Sequence, residues 1–320
     1  MDTEFTNSNK LLCIVGPTAT GKTDIALELA KLLNAEILSC DSRQVYKGLD
    51  LGTGKEPGEK FSVSKFENYW IINGVKIWMY DVAFPKEQYS VSNYIQDSKK
   101  IISQLWKQNK LPVVVGGTGF YLQGLLDGND TASLPPNELI RQTLEAMNLP
   151  ELQEKFKSLS PQIFANLNNS EKNNPRRLIR KIELALAPKG EKITGLREIS
   201  NCLIIGLVAD KQILNERIEK RVIKRVNDGM IQEAIDLHSN GLSYQRMRQL
   251  GLEYGVMADF LEGIIKSEQE FILVLQQKIK QYAKRQLTWF KRDKNIVWVD
   301  ITEKDFRQKV EKMVQDWYNG

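Results

Sequence analysis

The chain has 320 residues, 42% of them hydrophobic and 27% charged, with a formal net charge of +5. That length and apolar share fit a folded core with one substantial insertion and exclude a disordered tail. No apolar run approaches the roughly 20 residues of a membrane span, and the opening "MDTEFTNSNK" has no signal-peptide core. Three scattered cysteines and a single histidine leave no structural zinc site, so a reduced, cytoplasmic protein is expected.

From the N-terminus, residues 11–15 ("LLCIV") are a short apolar run closed by Gly16, which predicts a buried parallel strand. Ile25, Ala26, Leu29 and Leu32 at helical spacing predict a helix over 21–33. A second strand, "AEILSC", ends at Asp41, and Asn73-Gly74 between alternating apolar residues in "WIINGVKIWMYDV" predicts a hairpin. A helix over about 92–108 leads into "LPVVVGGTG", a buried strand with a glycine turn at its carboxyl end. From 128 to 199 the pattern changes to helices without a strand signal, flanked by "DGNDTASLPPN" and "APKGEKITG". "CLIIGLVAD" (202–210) and "NIVWVD" (295–300) read as later strands, with helices at about 211–239 and 268–290 between them. Strands and helices alternating in this way predict a doubly wound, mostly parallel α/β sheet. Its parts are 1–127 (first part of the core), 128–199 (a helical insertion domain) and 200–320 (core completion with basic helices).

Between the first strand and its helix lies "GPTATGKT", which is Gly16, Pro17, Thr18, Ala19, Thr20, Gly21, Lys22 and Thr23. It has the G-x-x-x-x-G-K-T pattern of a phosphate-cradling P-loop. Backbone N–H groups and the helix N-terminus make an anion hole, Lys22 adds a point charge, and the Thr23 hydroxyl can reach Mg²⁺. A nucleotide-hydrolysing chain would set a carboxylate for the metal at a strand end. Here "VVVGGTG" ends without one, and the acid is Asp41 at the end of the second strand. Beside the loop, a proton-accepting or metal-adjacent role suits Asp41 better than a turn-forming one. Ser42, Arg43, Gln44 and Tyr46 after it suit recognition of a base, and "GGTGFY", with Thr118 and Tyr121, would form a third wall.

Residues 131–320 carry 31 basic side chains against 25 acidic, whereas 1–130 carry 14 against 15. "KNNPRRLIRKIE" holds Lys172, Arg176, Arg177, Arg180 and Lys181, and "KIKQYAKRQLTWFKRDK" interleaves seven basic residues with Tyr282, Trp289 and Phe290. Each alone reads as a solvated helix face; together they read as a track for RNA. Arg217 and Arg221 share one helix face and can close over a phosphate, although partners among nearby acids explain the spacing equally well.

Taken in order, "GPTATGKT", "DSRQVYKGLDLGTGK", "YSVSNY", "VVVGGTGFYLQGLL", "NNPRRLIRKIE", "RIEKRV" and "AKRQLTWFKR" resemble the tRNA dimethylallyltransferases over roughly residues 11–299. The resemblance implies a P-loop NTPase-like core and transfer of a five-carbon prenyl group from dimethylallyl diphosphate to an adenosine beside the tRNA anticodon. It also implies that the loop 16–23, with Thr18 and Thr23, holds the diphosphate with Mg²⁺ and that Asp41 is the general base, with Lys22 and Thr23 acting on the leaving group. The expected tRNA contacts are Asp41, Ser42, Arg43, Gln44, Thr118, Arg141, and the run Arg176, Arg177, Leu178, Ile179 and Arg180. The expected partner is the anticodon stem-loop, bound by a monomer. Two segments depart from the family pattern: "INGVKIWMYDVAFP" lacks a histidine, and "LGLEYG" puts Leu252 where tyrosine is common. The alternatives are a small-molecule or nucleotide kinase, a prenyltransferase acting on free adenine nucleotide, and an RNA-binding P-loop switch without transfer chemistry.

Overall fold

The computed structural model describes residues 9–57, 61–128, 137–187 and 195–320, and its strands form one eight-stranded, mostly parallel sheet. In chain order they are β1 (Lys10–Val15), β2 (Ala35–Cys40), β3 (Val63–Phe66), β4 (Tyr69–Ile72), β5 (Val75–Trp78), β6 (Leu111–Gly116), β7 (Asn201–Val208) and β8 (Ile296–Asp300). The lateral order is β3-β4-β5-β2-β6-β1-β7-β8. The strands from β5 to β8 pair in parallel, and β3, β4 and β5 pair antiparallel at one edge.

The apolar runs explain the centre of this order. β2 and β6 are buried at every residue and β1 at all but its first, as strands covered by helices on both faces must be. The hairpin strands β4 and β5 alternate instead: β5 reads buried, half-buried, buried, half-buried. Asn73 and Gly74, with φ of 49° and 80°, make the tight turn that joins β4 to β5. The sequence did not signal β3, which is four residues long and mostly exposed.

One core cluster packs the helix Lys22–Leu32 and the C-terminal helix Phe306–Asn319 against the sheet through residues such as Leu12, Ile37, Trp70 and Val310. A second gathers the helices Lys211–Asn227, Met230–Ser239, Tyr244–Leu250, Leu252–Leu261 and Glu268–Phe290 around Ile218, Met247, Phe271 and Ile279. The predicted helix over 211–239 is thus two helices, broken at Gly229. The helices at 244–261 carried no sequence signal strong enough to mark them.

The chain divides into two compact units, one of Met1–Leu125 with Arg197–Gly320 and one of Leu126–Leu196. The smaller unit is built mainly of helices, among them Glu138–Glu145, Leu149–Leu159, Pro161–Ala165, Asn169–Lys172 and Pro175–Leu186. Asparagine caps four of them: the side chains of Asn137, Asn148, Asn168 and Asn174 each accept a first-turn N–H. Its core is Leu144, Leu152, Phe156, Leu167, Leu178, Ile179 and Ile182. Most of the linker stretches read at 127–137 and 187–195 lie outside the described residues. No helix among the described residues is long and apolar enough to cross a membrane.

Candidate active site

At the carboxyl ends of β1, β2 and β6 the sheet opens into a pocket, where an open α/β sheet places its ligands. Three chain segments line it from the sheet: the loop 16–23, Asp41, Arg43 and Gln44 after β2, and Gly116 and Gly117 at the end of β6. Gly16 can turn there only as glycine, because a Cβ would lie 2.3 Å from the Leu207 carbonyl oxygen of β7. The opposite wall comes from helices: Arg221 and Arg225 of Lys211–Asn227, Glu253 of Leu252–Leu261, and Tyr282 and Gln286 of Glu268–Phe290.

Within the loop, Lys22 Nζ donates to the Pro17 carbonyl at 2.7 Å and Thr20 Oγ1 donates to the same oxygen at 2.9 Å. Arg221 Nη2 donates to Thr18 Oγ1 at 2.5 Å, while its Nε is buried without a partner among the described residues. Burial, and then the neighbouring Arg221 cation, push the Lys22 ammonium down to about 7, against the opposing pull of Asp41. Burial, and then Arg225, likewise disfavour the charge of Arg221. A buried site that crowds cations and leaves a guanidinium donor unused is built for an anion.

Asp41 begins the turn after β2, and its Oδ1 accepts the Arg43 N–H at 2.9 Å. Ser42 N–H donates to Thr118 Oγ1 at 3.1 Å, and Thr118 N–H donates to the Cys40 carbonyl at 3.1 Å, which ties this turn to the one after β6. The Arg43 guanidinium pairs with Glu253 at 2.8 Å and lies 4.8 Å from the centre of the Tyr282 ring. Gln44 Oε1 accepts the Ser39 hydroxyl at 2.7 Å.

Residues 44–293 match the family described as IPP transferase, and residues 9–76 match that of isopentenyl transferase. The chain belongs to the IPP transferase family. It is 39% identical to a tRNA dimethylallyltransferase 2 of Treponema denticola over 92% of this chain and 97% of the relative. It is 34% identical to a tRNA dimethylallyltransferase of Halalkalibacterium halodurans over 94% of each. The crystal structure of a tRNA isopentenylpyrophosphate transferase from Bacillus halodurans superposes with a TM-score of 0.70 at 31% identity, covering 97% of both chains. A eukaryotic dimethylallyltransferase acting on tRNA shares the fold, with a TM-score of 0.79 at 21% identity.

For an IPP transferase the structure sorts the residues that the sequence singled out. Thr18, Ala19, Gly21, Lys22, Thr23, Asp41, Arg43, Gln44 and Arg221 line the pocket. Arg217 does not: it is exposed, one helical turn before Arg221 on the same helix face, and the pocket is lined instead by Arg225, one turn after Arg221. Ser42 and Thr118 stand behind the lining and brace it. In the smaller unit Arg141 forms a two-pronged pair with the buried Glu183, at 2.9 and 3.1 Å. Leu178 and Ile179 belong to that unit's core, so their side chains are closed to RNA, whereas Arg176 and Arg177 are exposed. On the long helix and just beyond it, Lys278, Lys284, Arg285, Lys291, Arg292 and Lys294 are exposed.

Arg225, Glu253 and Gln286 escaped the sequence reading. A continued four-residue spacing from Arg221 marks Arg225 in principle. Nothing marks Gln286, a neutral side chain inside a basic run, yet it is 5% exposed and bonded at both ends. Its Oε1 accepts the Thr18 N–H at 2.8 Å and its Nε2 donates to the Gly117 carbonyl at 2.9 Å.

Proposed function

We propose that this protein transfers the dimethylallyl group of dimethylallyl diphosphate to the exocyclic amine of the adenosine 3′-adjacent to the tRNA anticodon. The carrying observation is the pairing, across one pocket, of an anion site with a carboxylate of a different strand: Lys22 and Arg221 on one side, Asp41 on the other. The names of the relatives, tRNA dimethylallyltransferases over more than nine-tenths of the chain, support the reading. The sheet order, with β1 between β6 and β7 and the loop 16–23 between β1 and its helix, supports a P-loop NTPase-like core.

The amine of adenine is a poor nucleophile, so the bond from carbon to the diphosphate oxygen is well broken before the new carbon–nitrogen bond is complete. Loop N–H groups, Lys22 and Arg221 stabilise the negative charge that develops on the diphosphate. Asp41 takes the proton that the amine loses as the bond to carbon forms. The adenine reaches the pocket only when turned out of the anticodon stack, and the exposed basic helix faces suit the flanking RNA.

A magnesium ion fits this donor set. The Thr23 hydroxyl and Asp41 line the pocket, and no cluster of metal-ligating side chains exists among the described residues, so diphosphate oxygens and water would complete the shell. Bound there, the ion would offset charge on the leaving diphosphate.

A kinase shares the loop and the sheet, and a free-nucleotide prenyltransferase shares the chemistry. Incubation with labelled dimethylallyl diphosphate separates the three readings. Label should pass to bulk tRNA, not to AMP, and without ATP. Label in AMP alone, or transfer of phosphate from ATP to any acceptor, would overturn the proposal.

A further inference from the structure

Arg225 is the most heavily built feature of the pocket that the reading above does not use. It follows Arg221 by one helical turn and lines the same cavity beside Thr53 and Gly54. The loop over it is shaped to admit it: a Cβ on Gly54 would fall 1.7 Å from Arg225 Nη2, and Gly54 has a φ of +72° that favours glycine. Glu233 holds that loop from beneath, accepting the N–H groups of Asp50, Leu51 and Gly52 at 2.9, 2.7 and 3.0 Å and the Tyr254 hydroxyl at 2.6 Å.

The carboxylates near Arg225 are committed elsewhere: Glu233 to that loop, Glu253 to Arg43, and Asp41 Oδ1 to the Arg43 N–H. Among the described residues the Arg225 guanidinium makes no ion pair, and its one hydrogen bond is a long one, Nη1 to the Gly52 carbonyl at 3.3 Å. A guanidinium has five donors. Burial pushes the Arg225 pKa down even with Glu253, Tyr254, Glu233 and Asp41 pulling the other way. The fold therefore holds a second arginine beside Arg221, largely desolvated and with donors to spare.

We propose that Arg225 is a second diphosphate-binding arginine, which closes with Arg221 over the leaving group of the prenyl donor and gives the pocket, after Lys22 and Arg221, a third cation not paired with a carboxylate among the described residues. The proposal rests on the diphosphate reading of the site. It predicts that Arg225 lowers the stability of the free protein, because a desolvated cation without a carboxylate partner costs free energy until an anion arrives.

The test is titration calorimetry of the full-length chain with inorganic diphosphate and Mg²⁺, beside thermal unfolding and tRNA binding without donor. Arg225→Gln should weaken diphosphate binding by about 10- to 100-fold, and Arg225→Lys should recover part of it. Arg225→Gln should leave tRNA affinity unchanged and keep or raise the unfolding midpoint. Unchanged diphosphate affinity in Arg225→Gln overturns the proposal. A loss of tRNA affinity instead also overturns it, since Arg225 would then hold a backbone phosphate of the RNA. A midpoint that falls together with diphosphate affinity makes the side chain a strut for Gly52 and overturns it too. Lys22→Ala separates the two levels. If it weakens diphosphate binding and Arg225→Gln does not, only this inference fails; if neither does, the diphosphate reading itself fails.

Discussion

Asp41 and Lys22 both line the pocket, and the proposed reaction gives them opposite tasks, each with its own signature. Asp41→Asn removes the proton acceptor while keeping shape, so kcat should fall by about 10²–10⁴ with tRNA affinity little changed; near-normal turnover would remove Asp41 from the mechanism. Lys22 has a folded-state pKa of about 7, lowered from 10.5 by burial and then by Arg221. Between those values the unfolded chain binds the proton more tightly. The cost to stability is therefore fully present below pH 7 and is relieved as pH rises toward 10.5. A bound diphosphate favours the ammonium, so at pH 8 to 9 binding should take up close to one proton. Affinity should fall with rising pH above 7, by at most about tenfold per unit. Calorimetry of dimethylallyl diphosphate in two buffers of different ionisation heat measures the uptake, and Lys22→Ala should abolish it.

The long helix Glu268–Phe290 presents two chemically different faces. Its exposed face carries Lys284 and Arg285, and the next residue, Gln286, reaches inward to the loop 16–23 and to the turn after β6. Through Gly117 and Thr118, that turn also holds Ser42 beside Asp41. Gln286 thus ties the loop 16–23 to the turn that holds Ser42 beside Asp41. Gln286→Glu keeps an acceptor for the Thr18 N–H but loses the donor to Gly117 and adds charge beside the anion site, whereas Gln286→Met keeps the volume and loses both bonds. Both should lower kcat by at least about tenfold, as misplaced reacting groups do, with the KM for tRNA nearly unchanged. Wild-type kcat in both variants would leave Gln286 a packing residue.

Two units with separate cores imply two separable stabilities. The smaller rests on few apolar side chains, and a unit of that size buries a modest share of its surface. Phe156 is 2% exposed at its centre and meets Phe164 edge-on, with ring centres 6.2 Å apart. Phe156→Ala should remove about 3–5 kcal/mol and bring out an early unfolding transition confined to this unit. Diphosphate binding, which uses only pocket residues of the larger unit, should persist below the second transition. A single transition, with diphosphate binding lost at the same temperature, would show that the two units unfold as one.

What the sequence determined by itself was everything carried by short-range order. The loop 16–23, the strands around it, the hairpin turn at Asn73-Gly74 and the strandless stretch near 128–199 follow from motifs and periodicities a few residues long. The ordered set of segments pointed to the family, and the family matches agree with it. The sequence placed Asp41 at a strand end because the strand-like run "AEILSC" stops at that acid. Only the tertiary structure decided which arginines face the pocket. Arg217, Arg221 and Arg225 follow one another at four-residue spacing beside the buried stripe Leu214, Ile218, Val222 and Val226, so helix phase does not separate them. The place of the pocket along the helix does, taking in Arg221 and Arg225 and leaving Arg217 in solvent. The pairing of Arg43 with Glu253, 210 residues apart, and the bridge from Gln286 to Thr18, 268 residues apart, join segments that have no local relation. Such contacts form because buried polar groups must find partners wherever the folded chain brings them together, and no short window of sequence encodes that meeting.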